Sequence, residues 1–397
     1  MVEILRRDVL RLAGGTLAGW LLNSSPITRA QEPVNHQETE ENTLSRKEHF
    51  QPFNKGNAEW QYVEFQYLDG EGQRVGITTS ISELTSPLGV KTQQFLVMRH
   101  NLGTKETLKR VYDGTRVFDE TTSSYTFIEK DTNKQLVKLS YDEAGDRYLL
   151  EVKTDQFDSG EIDSGGLVLR PQGDLIPVSG DGNFTVASFK DGRIITNYFA
   201  DHVRVEKQNG DLVGWGRRDS ENLELEGIPP RQLDIDHTWV HVTGVRADGK
   251  PFYVTAWASK TGGQFRFADI LILDPATGKK ESFGQYNEDN PDFSIVFESP
   301  RQELETPPGQ TKKPEYQMAH GGKVTARLGD IVLFELKIDG DRDQIIDGKG
   351  FLSMVEAHGR LTGGAVLGSK VTSDLSAVWE TTDERYSSLA PCVMRQN

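Results

Sequence analysis

Cysteine is almost missing from this 397-residue chain: Cys392 stands alone. No intrachain disulfide can form, so an oxidising compartment neither helps nor harms the fold. No apolar run is long enough to cross a bilayer. The best, Leu12 to Leu22, is diluted by Gly14, Gly15 and Gly19. Positive charge is also in deficit, with 45 Lys and Arg against 60 Asp and Glu and a formal net charge of −15. Removing residues 1–30 would take away four Arg and two acids, leaving −17. Bulk charge therefore argues against nucleic acid or an anionic membrane surface as partner. Sustained helical periodicity is absent too, which excludes βαβ units. The chain has no Gly-x-Ser-x-Gly elbow, no phosphate loop and no dinucleotide fingerprint after a strand, so no cofactor site is expected.

What is present begins with Arg6-Arg7-Asp8-Val9-Leu10, ahead of the diluted apolar run, and Thr28-Arg29-Ala30. This resembles a twin-arginine export signal over residues 1–30, with Leu5 where Ser or Thr is usual and Val9 where Phe is usual. It implies export to the periplasm or cell envelope. Residues 31–56 are polar and rich in Glu, Gln and Asn, and are expected to form a disordered linker. From Glu59 onward the punctuation is that of an all-β protein. Asp-Gly or Asn-Gly pairs stand at 69, 113, 181, 191, 209, 248, 339 and 347, between alternating runs such as Gln135–Tyr141, Tyr148–Lys153 and Val324–Ile338. A short helix near Pro300–Glu305 and an exposed loop over Thr306–Pro314 are the exceptions expected.

The chain also repeats itself. With Trp60 set over Trp239, residues 57–80 and 236–259 align without a gap at six identities: Trp60/Trp239, Val63/Val242, Asp69/Asp248, Gly70/Gly249, Val75/Val254 and Ser80/Ser259. Each copy reads as strand, Asp-Gly turn, strand. Pro229-Pro230 precedes the second copy. The expected division is an N-terminal domain over 57–231 and a C-terminal domain over 232–397.

Asp236-His237-Thr238-Trp239 is the most chemically suggestive cluster. A carboxylate beside a His and an indole can form an acid/base pair next to a surface that stabilises positive charge, or simply close a strand over a packed Trp. In a strand, His237, Trp239 and His241 share a face. Two of those histidines lie about 13 Å apart, too far to ligate one ion, and no metal site is expected. Asp339-Gly340-Asp341-Arg342-Asp343 with Asp347 fails as a calcium loop, because Gln344 and Gly350 replace its turn Gly and bidentate Glu. In Gly263–Leu273, Phe265, Phe267, Asp269, Leu271 and Leu273 share one face. Asp269 is thus an acid in an apolar stripe, and the expectation is that this stripe faces the cavity of the second domain.

Taken with Tyr198-Phe199, Gly210-Asp211-Leu212 and Leu225-Glu226-Gly227, the Asp236-His237-Thr238-Trp239 cluster resembles the closing pattern of the AttH-like, lipocalin-like proteins that include carotenoid 1,2-hydratase. Glu59-Trp60-Gln61-Tyr62 resembles their opening Glu-Trp-x-Tyr. The resemblance implies two tandem lipocalin-like antiparallel β-barrels and an isoprenoid or lipid-like ligand. It implies that Asp236, His237 and Trp239 sit at a hydratase site, with Phe267 and Asp269 nearest to the later Tyr and Asp. The function expected is binding of a hydrophobic small molecule near the domain interface. A cofactor-free hydratase or cyclase would deliver a proton from Asp269 or Asp236, oriented by His237. The ligand-binding set is Trp239, Phe265, Phe267, Trp257, Tyr253, Trp60 and Tyr62. The rivals are a non-catalytic carrier and a structural envelope protein whose barrels are filled by side chains.

Overall fold

The computed structural model describes residues 45–53, 58–85, 91–154, 166–177, 183–189, 192–226, 237–259, 265–286, 290–298, 321–340, 345–348 and 352–382. Beyond one four-residue helix, α1 (Arg46–His49), its regular structure is strand. The first sheet holds β1 (Ala58–Leu68), β2 (Arg74–Thr85), β3 (Lys91–Asn101), β4 (Thr107–Asp119), β5 (Ser124–Glu129), β6 (Gln135–Asp142), β7 (Arg147–Val152), β8 (Leu167–Pro171), β9 (Ile176–Pro177), β10 (Asn183–Phe189), β11 (Gly192–Lys207) and β12 (Leu212–Glu226). Strands β1 to β8 pair in sequence, β8 pairs with β11, β11 with β12 and β12 with β1, which closes a ring of ten.

The second sheet holds β13 (His237–Arg246), β14 (Pro251–Ser259), β15 (Arg266–Leu273), β16 (Lys280–Tyr286), β17 (Phe293–Glu298), β18 (Gly322–Leu328), β19 (Ile331–Gly340), β20 (Ile345–Gly348), β21 (Leu352–Val366) and β22 (Ser369–Thr382). Nine of these run in the order β16-β15-β14-β13-β22-β21-β19-β18-β17, with β17 lying back against β14 and β15 to nearly close the ring. All the pairings are antiparallel, and closure removes most exposed edges.

The repeat copies open the two sheets. Trp60 lies on β1 and Trp239 on β13, each the first strand of its ring and each followed by a hairpin partner. The hairpins differ in register: Tyr62 pairs with Ser80, whereas His237 pairs with Ser259. The gapless alignment therefore matches residues and not pairings. Other turn signals behave unevenly. Asp69, Asn209 and Asp248 stand at turns, but Asp113-Gly114 lies inside β4. A Cβ on Gly114 would sit 2.1 Å from the Ile128 carbonyl, so this glycine serves a close approach between strands. The run Val324–Ile338 is two strands joined at Gly329, which has φ +57°. Pro300–Glu305 and Thr306–Pro314 lie outside the described residues.

Each barrel has a filled interior. Val63, Phe65, Phe95, Phe127, Tyr148 and Leu169 are among the residues packing the first. Val240, Val242, Val254, Ala268, Ile270, Ile272, Phe334 and Trp379 are among those packing the second. Residues 45–53, expected to belong to a linker, contribute to the first: Phe50 is fully buried among Phe118, Tyr125, Tyr141 and Tyr148.

Strand burial shows where the barrels meet. On β4, facing solvent, exposed and half-buried residues alternate from Tyr112 onward, as on a one-sided strand. On β1 and β15 nearly every residue is buried on both faces. One face fills the strand's own barrel. The other packs against the neighbouring barrel, with β1 and β12 of the first meeting β13 and β22 of the second.

This corrects one expectation. Asp269 does not face the cavity of the second barrel. Ala268, Ile270 and Ile272 fill that interior, while Phe265, Phe267 and Asp269 lie on the outer wall and are covered by the first barrel. Burying four large apolar groups is worth roughly 1.5–3 kcal/mol each. That gain is realised at the seam as fully as in a cavity, and Ile270 and Ile272 fit the interior without stranding a carboxylate.

Candidate active site

Strand alternation builds the seam from rows of outward side chains. On β1, Val63, Phe65 and Tyr67 point into the barrel, leaving Trp60, Tyr62, Glu64 and Gln66 for the seam. On β12, Glu221, Asp219 and Arg217 stand opposite Trp60, Tyr62 and Glu64. On β11, Tyr198, Ala200 and His202 stand opposite Glu221, Asp219 and Arg217. The second barrel offers Trp239 and His241 on β13, Trp257, Thr255 and Tyr253 on β14, Phe267 and Asp269 on β15, and Tyr286, Gly284 and Ser282 on β16.

An aromatic cluster occupies one end. Trp239, Trp257, Phe265, Phe267 and Tyr198 pack with Ala58, Ile176, Leu223 and Val378, and Trp60 and Tyr286 lie partly buried against them. Tyr198 and Trp257 have ring centroids 6.1 Å apart, Trp257 and Phe265 5.3 Å, Phe265 and Tyr286 6.0 Å.

A layer of charge lies beneath. The Arg217 guanidinium stacks on Trp239, 3.1 Å from the ring centroid, and donates to Asp219 Oδ2 at 2.7 Å and Tyr198 Oη at 2.7 Å. Tyr198 donates in turn to Asp219 Oδ2 at 3.0 Å. Burial still outweighs this pairing and pushes Asp219 up to about 6. Glu221 goes further, to about 8: burial is the main cause, and the neighbouring Asp219 and Glu380 carboxylates add to it. Part of Glu221 reaches solvent at the rim, but the carboxyl itself is enclosed and accepts from Thr196 Oγ1 at 3.0 Å. At neutral pH it is mostly a carboxylic acid.

Deeper still, a chain of polar groups crosses from one barrel to the other. Asp269 Oδ2 lies 3.3 Å from His202 Nε2, His202 Nδ1 lies 3.2 Å from His241 Nε2, and His241 Nδ1 lies 3.4 Å from Glu64 Oε1. Ser282 donates to Asp269 Oδ1 at 3.4 Å. Burial, with His202 and Arg217 nearby, holds His241 well below the ordinary imidazole range, so it is neutral. Two imidazoles in contact between two carboxylates can share a proton. Among the described residues, no group of three or more His, Cys, Asp or Glu is arranged to hold a metal ion.

Of the residues expected from sequence, Trp239, Trp257, Tyr253, Phe265, Phe267, Asp269, Trp60 and Tyr62 all meet at the seam. Asp236 and the His237 side chain lie outside the described residues. Sequence reasoning missed Glu64, His202, Arg217, Asp219 and Glu221, and treated His241 only as a metal ligand to be rejected. On β12, Arg217, Asp219 and Glu221 alternate as a charged row, which in sequence reads as an ordinary solvent-facing wall.

No family model and no curated protein matches this sequence. Among solved structures, the chain is similar to the crystal structure of an AttH candidate from Nitrosomonas europaea. The TM-score is 0.53 at 13% identity, over 87% of this chain and 98% of that one. A second likeness is to kievitone hydratase from Nectria haematococca, with a TM-score of 0.47 at 14% identity over 84% of this chain and 91% of that one. Identities this low speak to architecture alone. Two tandem antiparallel barrels, the first residues of each forming a Trp-bearing strand against the other, give this chain the AttH-like, lipocalin-like fold.

Proposed function

We propose that this protein binds a hydrophobic, isoprenoid- or lipid-like molecule in the seam between its barrels and acts on it as a cofactor-free hydratase or cyclase. The observation that carries the reading is Glu221, a carboxyl that keeps its proton near neutral pH at the rim of an aromatic cluster. The Glu221 O–H adds its proton to one alkene carbon, and the π pair becomes the new C–H bond. The carbocation left on the other carbon is stabilised by the faces of Trp60 and Trp257. Water, or a second double bond of the same molecule, supplies the closing electron pair. The proton then lost returns to the Glu221 carboxylate, so no external reductant or oxidant is needed. Asp269, His202, His241 and Glu64 hold the second barrel's wall in register against the first.

The test is turnover of a panel of acyclic isoprenoids in H₂¹⁸O, read by mass spectrometry. Wild type is expected to add one labelled oxygen or to isomerise by ring closure. Glu221→Gln should bind the same compounds and convert them at least 100-fold more slowly. The aromatic cluster would hold an apolar molecule without the acid, so the second reading is a carrier. Binding by wild type with no conversion of any member decides for it. We also propose export through the Arg6-Arg7 signal. Replacing both arginines by Lys should leave the protein in the cytoplasmic fraction, and unchanged export would point to another route.

A further inference from the structure

Resting on that reading of the seam, the geometry points to Gly284 as its doorway and to a ligand that carries a slender hydroxyl head. Gly284 sits on β16, the strand at the end of the second sheet's order, directly opposite Asp269 on β15. It is exposed, as is Ser282 beside it on the same face, whereas Asp269 is 5 % exposed. A Cβ built on Gly284 would meet only Asp269 Oδ1, at 3.6 Å, and no other atom within 4 Å. Gly76, on the other flank of the seam, differs: its Cβ would strike the His358 ring at 2.3 Å. The absence of a side chain at 284 therefore serves no packing contact. It leaves a gap that opens from solvent onto the Asp269 carboxyl.

Among the described residues, two buried hydroxyls past that gap have no hydrogen-bond partner. Thr255 stands between His241 and Asp269 in the strand register, and the Tyr253 ring lies tilted against His202 with centroids 5.0 Å apart. Both residues are fully buried, and among the described residues neither Thr255 Oγ1 nor Tyr253 Oη has a hydrogen-bond partner. Buried donors of this type are nearly always paired, and a ligand head that accepts and donates would pair them. Phe265, Phe267 and Tyr286 flank the same opening on the other side, so the apolar body would remain on the aromatic cluster. The doorway thus selects ligands narrow and polar at one end, and rejects bulk beside the head.

The experiment compares farnesol with farnesyl methyl ether, binding followed by intrinsic Trp fluorescence. The proteins are wild type, Gly284→Leu and Thr255→Val. Wild type should bind farnesol at least 10-fold more tightly than the ether. Gly284→Leu should weaken both at least 10-fold while its thermal midpoint and far-UV spectrum stay unchanged, since the new Cβ meets only Asp269 Oδ1, at ordinary contact distance. Thr255→Val, nearly isosteric, should lose the preference for the alcohol and keep the affinity for the ether. If wild type binds neither compound, the reading of the seam as an apolar site falls. If wild type binds both but Gly284→Leu binds as tightly, the doorway falls and the seam survives. Equal affinity of wild type for alcohol and ether overturns the polar head.

Discussion

A carboxyl group keeps its proton at neutral pH only when ionising it costs more than water could repay. Glu221 meets that condition because its carboxyl is enclosed and the charges that act most on it, Asp219 and Glu380, share its sign. Arg217 does not reverse this, since it is committed to Asp219, Tyr198 and the Trp239 ring. The consequence for stability has a definite sign. Between the unfolded value of 4.5 and the folded value of about 8, the native state holds a proton the unfolded chain has released. Stability from this group is complete below 4.5 and is lost as pH rises through 8. Urea unfolding of wild type and Glu221→Gln at pH 6 and pH 9 checks it: the wild type should lose more stability than the variant across that interval. Activity should fall over the same range as the acid ionises. A flat difference between the two proteins would mean Glu221 titrates normally.

Strands, taken as elements, were readable wherever one face meets water. Gln135–Tyr141 alternates in sequence and alternates in burial on β6. The signal failed where two strands share one alternating phase, as in Val324–Ile338, and where Asp113-Gly114 copied a turn signal inside β4. It was ambiguous on β15, because both faces are apolar and either could have filled the barrel. The residue that decides β15 is Ile270, whose row packs the second core better than a row containing an acid. The pairing of β1 and β2 with β21 and β22 was invisible for a related reason: it depends on fit between outer walls. Gln66 donates to the Ala377 carbonyl at 2.6 Å and the Gly359 carbonyl at 3.2 Å, and Arg74 is paired with Asp374. His358 bonds Thr78 at 2.8 Å over the flat surface left by Gly76. Gly76→Ala should therefore cost about 1–3 kcal/mol in urea unfolding, as overpacking usually does. Gly70→Ala, with nothing within 4 Å, should cost far less. Equal costs would mean the walls are not held in contact.

At the scale of the whole molecule, the Trp60/Trp239 repeat and the turn spacing pointed to two all-β domains, and the resemblance to AttH-like proteins supplied the barrels. The candidate site was half legible. Its aromatic residues and Asp269 stood out as a stripe, but Glu64, His202, Arg217, Asp219 and Glu221 acquire meaning only once two outer walls are pressed together. That joining should make the barrels unfold as one cooperative unit. It also buries imidazoles: burial, with His100 nearby, pushes His358 down to about 3. Below pH 6.5 the unfolded chain gains a proton that folded His358 refuses, so its contribution is lost as pH falls towards 3. Each such group adds about 1.4 kcal/mol per pH unit to the slope. Unfolding at pH 6 and pH 5 should show that difference between wild type and His358→Gln, in a single transition for each. The claim at the centre of this account is that ligand lies between the barrels and not within either. Photolabelling with a diazirine-bearing farnesol, followed by peptide mapping, tests it most directly. Label on Tyr198, Trp257, Phe265 or Phe267 is the result expected. Label confined to interior residues such as Val254, Ile270 or Phe334 would contradict it.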